Sequence, residues 1–176
     1  MFKIMLIAGL LCSFSTLANE AKPIAETVNQ RLSLMKDVAG YKAQQHLPIE
    51  DLAQESKVLA STQAEAETLG LDAATIKPFV MAQMDVAKAI QYRYRADWLS
   101  QPEQHWQPRP LNQVRPQIAR LSSAILQRLA QRLQAGPISE TERQGFVNAL
   151  QQHNLSDADK QRLFDALLAV RTRSTP

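Results

Sequence analysis

The chain has 176 residues, with 20 basic and 17 acidic side chains, five glycines and one cysteine. That length suits one domain with a real core, and a lone cysteine builds neither an internal disulfide nor a cysteine-ligated metal site. The basic excess comes from arginines spread over helical segments, Arg93, Arg95, Arg109, Arg115, Arg120, Arg128 and Arg132. Acids interspersed elsewhere and the lack of an aromatic–basic stacking motif argue against nucleic acid as a partner.

Residues 1–18 read as a secretory signal: Lys3 is the positive start, Ile4 to Leu11 the apolar run and Thr16-Leu17-Ala18 the small-residue cleavage site. That run is too short to span a bilayer, and no later segment approaches 18 apolar residues, so no membrane partner is expected once the signal is removed. The expected mature chain begins near Asn19, in the periplasm or outside the cell. Cys12 leaves with the signal, which removes thiol chemistry. Loss of Lys3 leaves 19 basic and 17 acidic side chains, so the net charge falls from +3 to +2.

Few glycines, many Ala, Leu and Gln, and no alternating β-branched run predict an all-α helical bundle. A long first helix is expected from Pro23 to Gln45, with proline in its first turn and Pro48 beyond its end. A turn over His46 to Glu50 leads to a helix capped by Asp51 that stops at Leu69-Gly70-Leu71, where glycine suits a left-handed cap. Asp72 caps a third helix reaching about Trp98, with Pro78 kinking its first turns or marking its true start. Three prolines between Ser100 and Pro110 predict a loop. A fourth helix follows over Leu111 to Ala135. Two shorter helices, opened by the capping boxes Ser139-x-x-Glu142 and Ser156-x-x-Asp159, close the bundle within residues 111–172. The second buries Leu163, Phe164, Leu167 and Leu168. One domain over residues 19–176 is expected.

The informative feature is polar. Arg31 and Lys42 are 11 residues apart, about three helical turns plus roughly 20°, so both share the face that carries Ile24, Val28, Met35 and Val38. Two cations on a buried face are costly unless an anion meets them, which suggests a helix-lined pocket for a small anion. Asp51, Glu55 and Gln91 complete the set. Each has a plainer reading. Asp51 and Glu55 lie where acids suit the helix dipole, Arg31 could bury its stem and keep its head in water, and Lys42 suits a helix end. Isolated His46, His105 and His153 offer no zinc spacing; no metal site, phosphate loop or nucleophilic serine elbow is evident.

Together, "RLSLMKDVAGYKA", "LPIEDLAQES" and "FVMAQMDVAKAIQYRYRADW" resemble an all-helical chorismate mutase. The signal and extra C-terminal helices resemble the secreted, gamma-type subclass. The likeness is close over residues 28–98 and looser through the fourth helix. It implies rearrangement of chorismate to prephenate, a pericyclic step needing no cofactor, nucleophile or proton transfer, and a homodimer. As the C–O bond lengthens, charge grows on the ether oxygen, so cations must clamp the carboxylates and donors must reach that oxygen. By similarity Arg31 pairs with a carboxylate, Lys42 bridges a carboxylate and the ether oxygen, and Gln91 donates to that oxygen. Glu55 accepts from the ring hydroxyl, with Asp51 fixing that end.

Three positions depart from the family pattern. Gln54 stands where an arginine usually precedes the glutamate, and Ala87 where some relatives carry a hydroxyl. A carboxylate-binding arginine can also come from the fourth helix. If "VRPQI" sets the register, that position is Ala124, with Arg120 or Arg128 one turn away as substitutes. Gln54 and Ala124 motivate a second reading, a weakened relative that binds an anionic metabolite or a partner. A third, a periplasmic helical adaptor, predicts that Arg31 and Lys42 face solvent.

Overall fold

The computed structural model describes residues 20–173, so the expected signal over residues 1–18 and its cleavage near Ala18 lie outside the described residues. Among the described residues the chain forms seven α-helices. They are α1 (Lys22–Ser33), α2 (Met35–Gln44), α3 (Leu52–Thr68), α4 (Ala73–Ser100), α5 (Leu111–Leu133), α6 (Arg143–Ala149) and α7 (Asp157–Leu168). None of these helices is long and apolar enough to cross a membrane. The architecture is the expected all-α bundle.

The first helix differs from expectation: it is interrupted at Leu34, which ends α1 and begins α2. The Leu34 N–H donates to the Arg31 carbonyl at 3.3 Å, a tightened turn, and the α-helical pattern resumes with Val38 N–H to the Leu34 carbonyl at 3.2 Å. Both halves bury one stripe, Ile24, Val28 and Leu32 on α1 and Met35, Val38 and Ala39 on α2. Elsewhere the caps set the ends. Asp51 Oδ1 accepts from Gln54 N–H at 3.1 Å and starts α3. Gly70 ends α3 at φ +75°, with Leu71 N–H reaching the Ala66 carbonyl at 2.9 Å and the Leu71 side chain fully buried. Asp72 Oδ1 then accepts from Ala74 N–H at 2.8 Å, so α4 starts at Ala73 and carries Pro78 inside it. Pro78 is not the start.

The expected loop over residues 101–110 is a strap across α2. Trp106 packs on Gly40, where a Cβ would stand 2.6 Å from the indole, so only glycine permits the contact. Lys36 lies over the same indole at 4.6 Å and pairs with Glu103 at 2.6 Å. Arg109 Nε donates to the buried Asp37 carboxylate at 2.7 Å. The strap fixes α2 and delivers α5 to its place beside α1, α2 and α3.

At the C-terminal end the first capping box closes a 3-10 turn, Glu140–Glu142, before α6; Glu142 accepts from Ser139 N–H at 3.0 Å. Ser156 and Asp159 exchange N–H bonds at 3.2 and 3.0 Å and open α7. Phe146 and Phe164 meet edge to face, 5.4 Å apart, and tie α6 to α7. Apolar side chains from all seven helices form one contiguous core. Leu163, Phe164 and Leu167 are buried as expected, whereas Leu168 only packs on its edge.

Candidate active site

The last turn of α1, together with α2, α3, α4 and α5, encloses a cavity of about 260 Å³. Each helix presents one face, as helical periodicity requires: Met35, Val38 and Lys42 from α2; Met84, Ala87, Lys88 and Gln91 from α4; Leu111, Arg115, Ile118 and Ser122 from α5. Gln54, Glu55, Val58 and Thr62 come from α3, and Ile49 and Asp51 from the segment before it. Seven of the sequence-predicted residues, Arg31, Lys42, Asp51, Gln54, Glu55, Ala87 and Gln91, therefore line one space.

Arg31 is 6% exposed and Lys42 7%. The adaptor reading required both to face solvent, and they do not. Arg31 Nε donates to Ser122 Oγ at 3.2 Å, while Nη1 is buried with no partner. Burial lowers the guanidinium to about 10, and no carboxylate pushes it back. Lys42 Nζ donates to the Ile49 carbonyl at 2.6 Å. Its partner is in place because α2 ends with His46 at φ +52° and Leu47 N–H on the Lys42 carbonyl at 2.8 Å, which turns the chain back across the helix end. Burial lowers the Lys42 ammonium, opposed most strongly by the charge of Asp51.

The wall that α3 and the segment before it supply is acidic and paired. Asp51 Oδ2 meets Arg115 Nη2 at 3.3 Å. Glu55 Oε1 accepts from Asp51 N–H at 3.3 Å, and its Oε2 meets Lys88 Nζ at 2.9 Å. The Glu55 carboxylate raises the Lys88 ammonium, chiefly through that hydrogen bond. Gln91 is buried; its Nε2 donates to the Ala87 carbonyl at 3.1 Å and lies 3.7 Å from Met35 Sδ, while Oε1 has no partner.

The fourth-helix register needs correction. Ala124, Arg120 and Arg128 do not line the cavity; Arg115 does, and Arg128 borders a separate hollow with Glu20 and Arg132. At 100° per residue Ala124 sits about 180° around α5 from Arg115, and Arg120 and Arg128 about 140° to either side. Sequence reasoning also missed Lys88, although it sits one residue after Ala87 and three before Gln91, on the same stripe of α4.

A buried arginine with an open donor, a buried lysine in the same cavity and a paired acidic wall define an all-helical pocket for a small anion that also offers hydroxyl-binding groups. Among the described residues no cluster of His, Cys, Asp and Glu is arranged to hold a metal ion. The chain belongs to the chorismate mutase type II family, whose model matches residues 22–92. It is 47% identical over 172 residues to a secreted chorismate mutase of Yersinia pestis, covering 97% of this chain and 92% of that protein. A monofunctional chorismate mutase of Enterobacter agglomerans is 42% identical over 147 residues, 84% of this chain and 81% of the relative. The crystal structure of secreted chorismate mutase from Yersinia pestis superposes with a TM-score of 0.80 at 51% identity, covering 85% of this chain and 97% of that one.

Proposed function

We propose that this chain is an exported enzyme that rearranges chorismate to prephenate without a cofactor. The carrying observation is the buried Arg31 with its unpartnered Nη1, held in one cavity with Lys42: the pair awaits a carboxylate-bearing ligand. Arg31 takes one carboxylate through its open donor. Arg115 takes the other with its remaining N–H groups, keeping Asp51 at the half-exposed edge of the cavity. The folded substrate is thereby held with its reacting ends together, which converts binding energy into orientation.

Charge then develops on the ether oxygen. Lys42 retains two N–H groups beyond the one given to Ile49; one meets a carboxylate of the substrate and the other the ether oxygen. Gln91 reaches the same oxygen by rotating its amide away from the Ala87 carbonyl, a movement that removes no other hydrogen bond than that one and the weak contact to Met35. Glu55 keeps a free lone pair on each oxygen and accepts from the ring hydroxyl, steadied by Asp51. Gln54 contributes a neutral contact.

The mature protein starts near Asn19, forms one domain and acts in the periplasm or beyond it, as the signal and the secreted relative support. It works as a homodimer; Leu52 and Leu99, 71% and 89% exposed, supply apolar surface that a second copy would cover. The deciding experiment follows chorismate loss by ultraviolet absorbance with purified residues 19–176, identifying prephenate as product. Turnover supports the assignment. A thermal shift with chorismate but no turnover replaces it with a binding-only relative, and neither result removes it. Intact mass of the exported protein tests the start at Asn19, and light scattering the dimer.

A further inference from the structure

Every acid on the α3 wall of the cavity has its own partner: Asp51 has Arg115, Glu65 has the Ser123 hydroxyl at 2.9 Å, and Glu55 has Lys88. Arg31 and Lys42, on α1 and α2, meet no carboxylate: their polar contacts are a hydroxyl and a carbonyl. The two facts are linked. Glu55 and Asp51 line the same cavity as Lys42, so an acid released from its own partner would turn to that lysine and occupy the cation a dianionic ligand needs.

Lys88 is well placed to prevent this. It is held from behind, because Nζ also meets Asp85 Oδ1 at 3.3 Å, and Asp85 is anchored by Arg162 of α7 at 2.5 Å. A continuous chain therefore runs from the C-terminal cap through Arg162, Asp85, Lys88 and Glu55 to the backbone N–H of Asp51. Gln54, the residue between Asp51 and Glu55 that faces the same space, carries no charge that could replace it.

We propose that Lys88 is a positioning residue of the reaction: it holds the Glu55 carboxylate on the α3–α4 wall and so keeps Lys42 free for the substrate dicarboxylate. The inference rests on the mutase reading. It assigns Lys88 a role in ligand capture more than in the bond-making step, so its loss is read first in KM.

The test is steady-state kinetics of chorismate turnover on purified residues 19–176, with circular dichroism and melting to confirm folding. Lys88→Met raises KM about ten-fold and lowers kcat less, since one partner of a charged hydrogen bond is removed. Lys88→Arg, which keeps charge and donor, restores KM to within about two-fold. Glu55→Gln removes the acid that Lys88 restrains, so the double variant Glu55→Gln/Lys88→Met has the same KM as Glu55→Gln alone. An unchanged KM in Lys88→Met, or fully additive effects in the double variant, overturns the role of Lys88 and leaves the mutase reading standing. A wild-type protein that does not turn over chorismate overturns both.

Discussion

Two arginine side chains in this bundle are withdrawn from solvent, and their surroundings are opposite. Arg132, at the α5 end near the C-terminal cap, forks onto Glu142, with Nε 3.0 Å from Oε2 and Nη2 2.7 Å from Oε1. Its Nη1 donates to the Gly136 carbonyl at 2.9 Å, and Glu20 approaches Nε at 3.1 Å. Glu142 raises its guanidinium by that hydrogen bonding, so the protein favours the charge. Arg31, in the cavity, has one hydroxyl partner and a buried Nη1 without one, and burial lowers it to about 10. One arginine serves the fold. The other is held at a cost that only a ligand offsets, which is why the cavity and not the cap is the site.

Replacing each arginine by leucine breaks this comparison most sharply. Arg132→Leu leaves the buried Glu142 carboxylate without its cation, held by the Ser139 N–H alone, and lowers stability by about 3–5 kcal/mol, with kcat per folded molecule unchanged. Arg31→Leu removes a poorly satisfied charge and raises stability by about 1–2 kcal/mol, while kcat/KM falls about 10³-fold through loss of a buried carboxylate contact. Denaturant titration and turnover on the same samples separate the two. A cap variant that loses turnover while folded, or a cavity variant that loses stability, contradicts the division.

The next effects lie within the cavity. Lys42→Ala should reduce kcat about 10²–10³-fold, as removal of a donor to a developing oxyanion does, and Gln91→Ala about 10²-fold. Helix content stays close to wild type, because the truncations remove side-chain contacts, Lys42 to the Ile49 carbonyl and Gln91 to the Ala87 carbonyl and Met35 Sδ, and no backbone hydrogen bond of a helix. Turnover that survives both changes removes these residues from the mechanism.

Much of this division is legible in the sequence, for local reasons. Asp51, Gly70, Asp72 and Ser156 mark helix ends through bonds to residues two to four positions away, and such bonds travel with the sequence. Arg31 and Lys42 are legible because a charge on an apolar stripe is anomalous at any register. The interruption at Leu34 is not, since no proline or glycine marks it and the one side-chain bond in that turn, Ser33 Oγ to the Gln30 carbonyl at 2.7 Å, is one that serines also make in unbroken helices. Arg115 was hidden by the strap: counting turns cannot cross residues 101–110, whose length is absorbed by the packing of Trp106 on Gly40. Lys88 reads as one more surface cation until Glu55 is brought to 2.9 Å by the α3–α4 packing.

A titration sharpens the comparison through sign. Both cavity cations have folded values below their ordinary ones, Arg31 at about 10 and Lys42 lowered from 10.5. Activity needs them charged, so kcat/KM declines as pH rises toward 10. Stability moves the other way: above the folded values the unfolded chain binds more protons, so the burial cost of these two groups is progressively relieved as pH climbs. Lys42→Arg moves the lysine's share of the alkaline fall upward, as far as the limit that Arg31 sets at about 10. An alkaline limb that does not move in that variant assigns the titration to another group.

The smallest effect concerns the neutral residue on the acidic wall. Gln54→Arg adds a cation to a cavity whose acids already have partners, so the new charge is available to a dianion and KM falls about three- to ten-fold, about 1 kcal/mol. The same charge leaves the cap unaffected, because Arg132 lies in a separate hollow and already has its carboxylate in Glu142. If KM is unchanged, Arg115 and Lys88 already supply what the α3 segment lacks, and Lys88→Met made in the Gln54→Arg background distinguishes them. Rescue of the Lys88→Met KM by Gln54→Arg assigns the missing charge to Lys88; no rescue leaves it with Arg115.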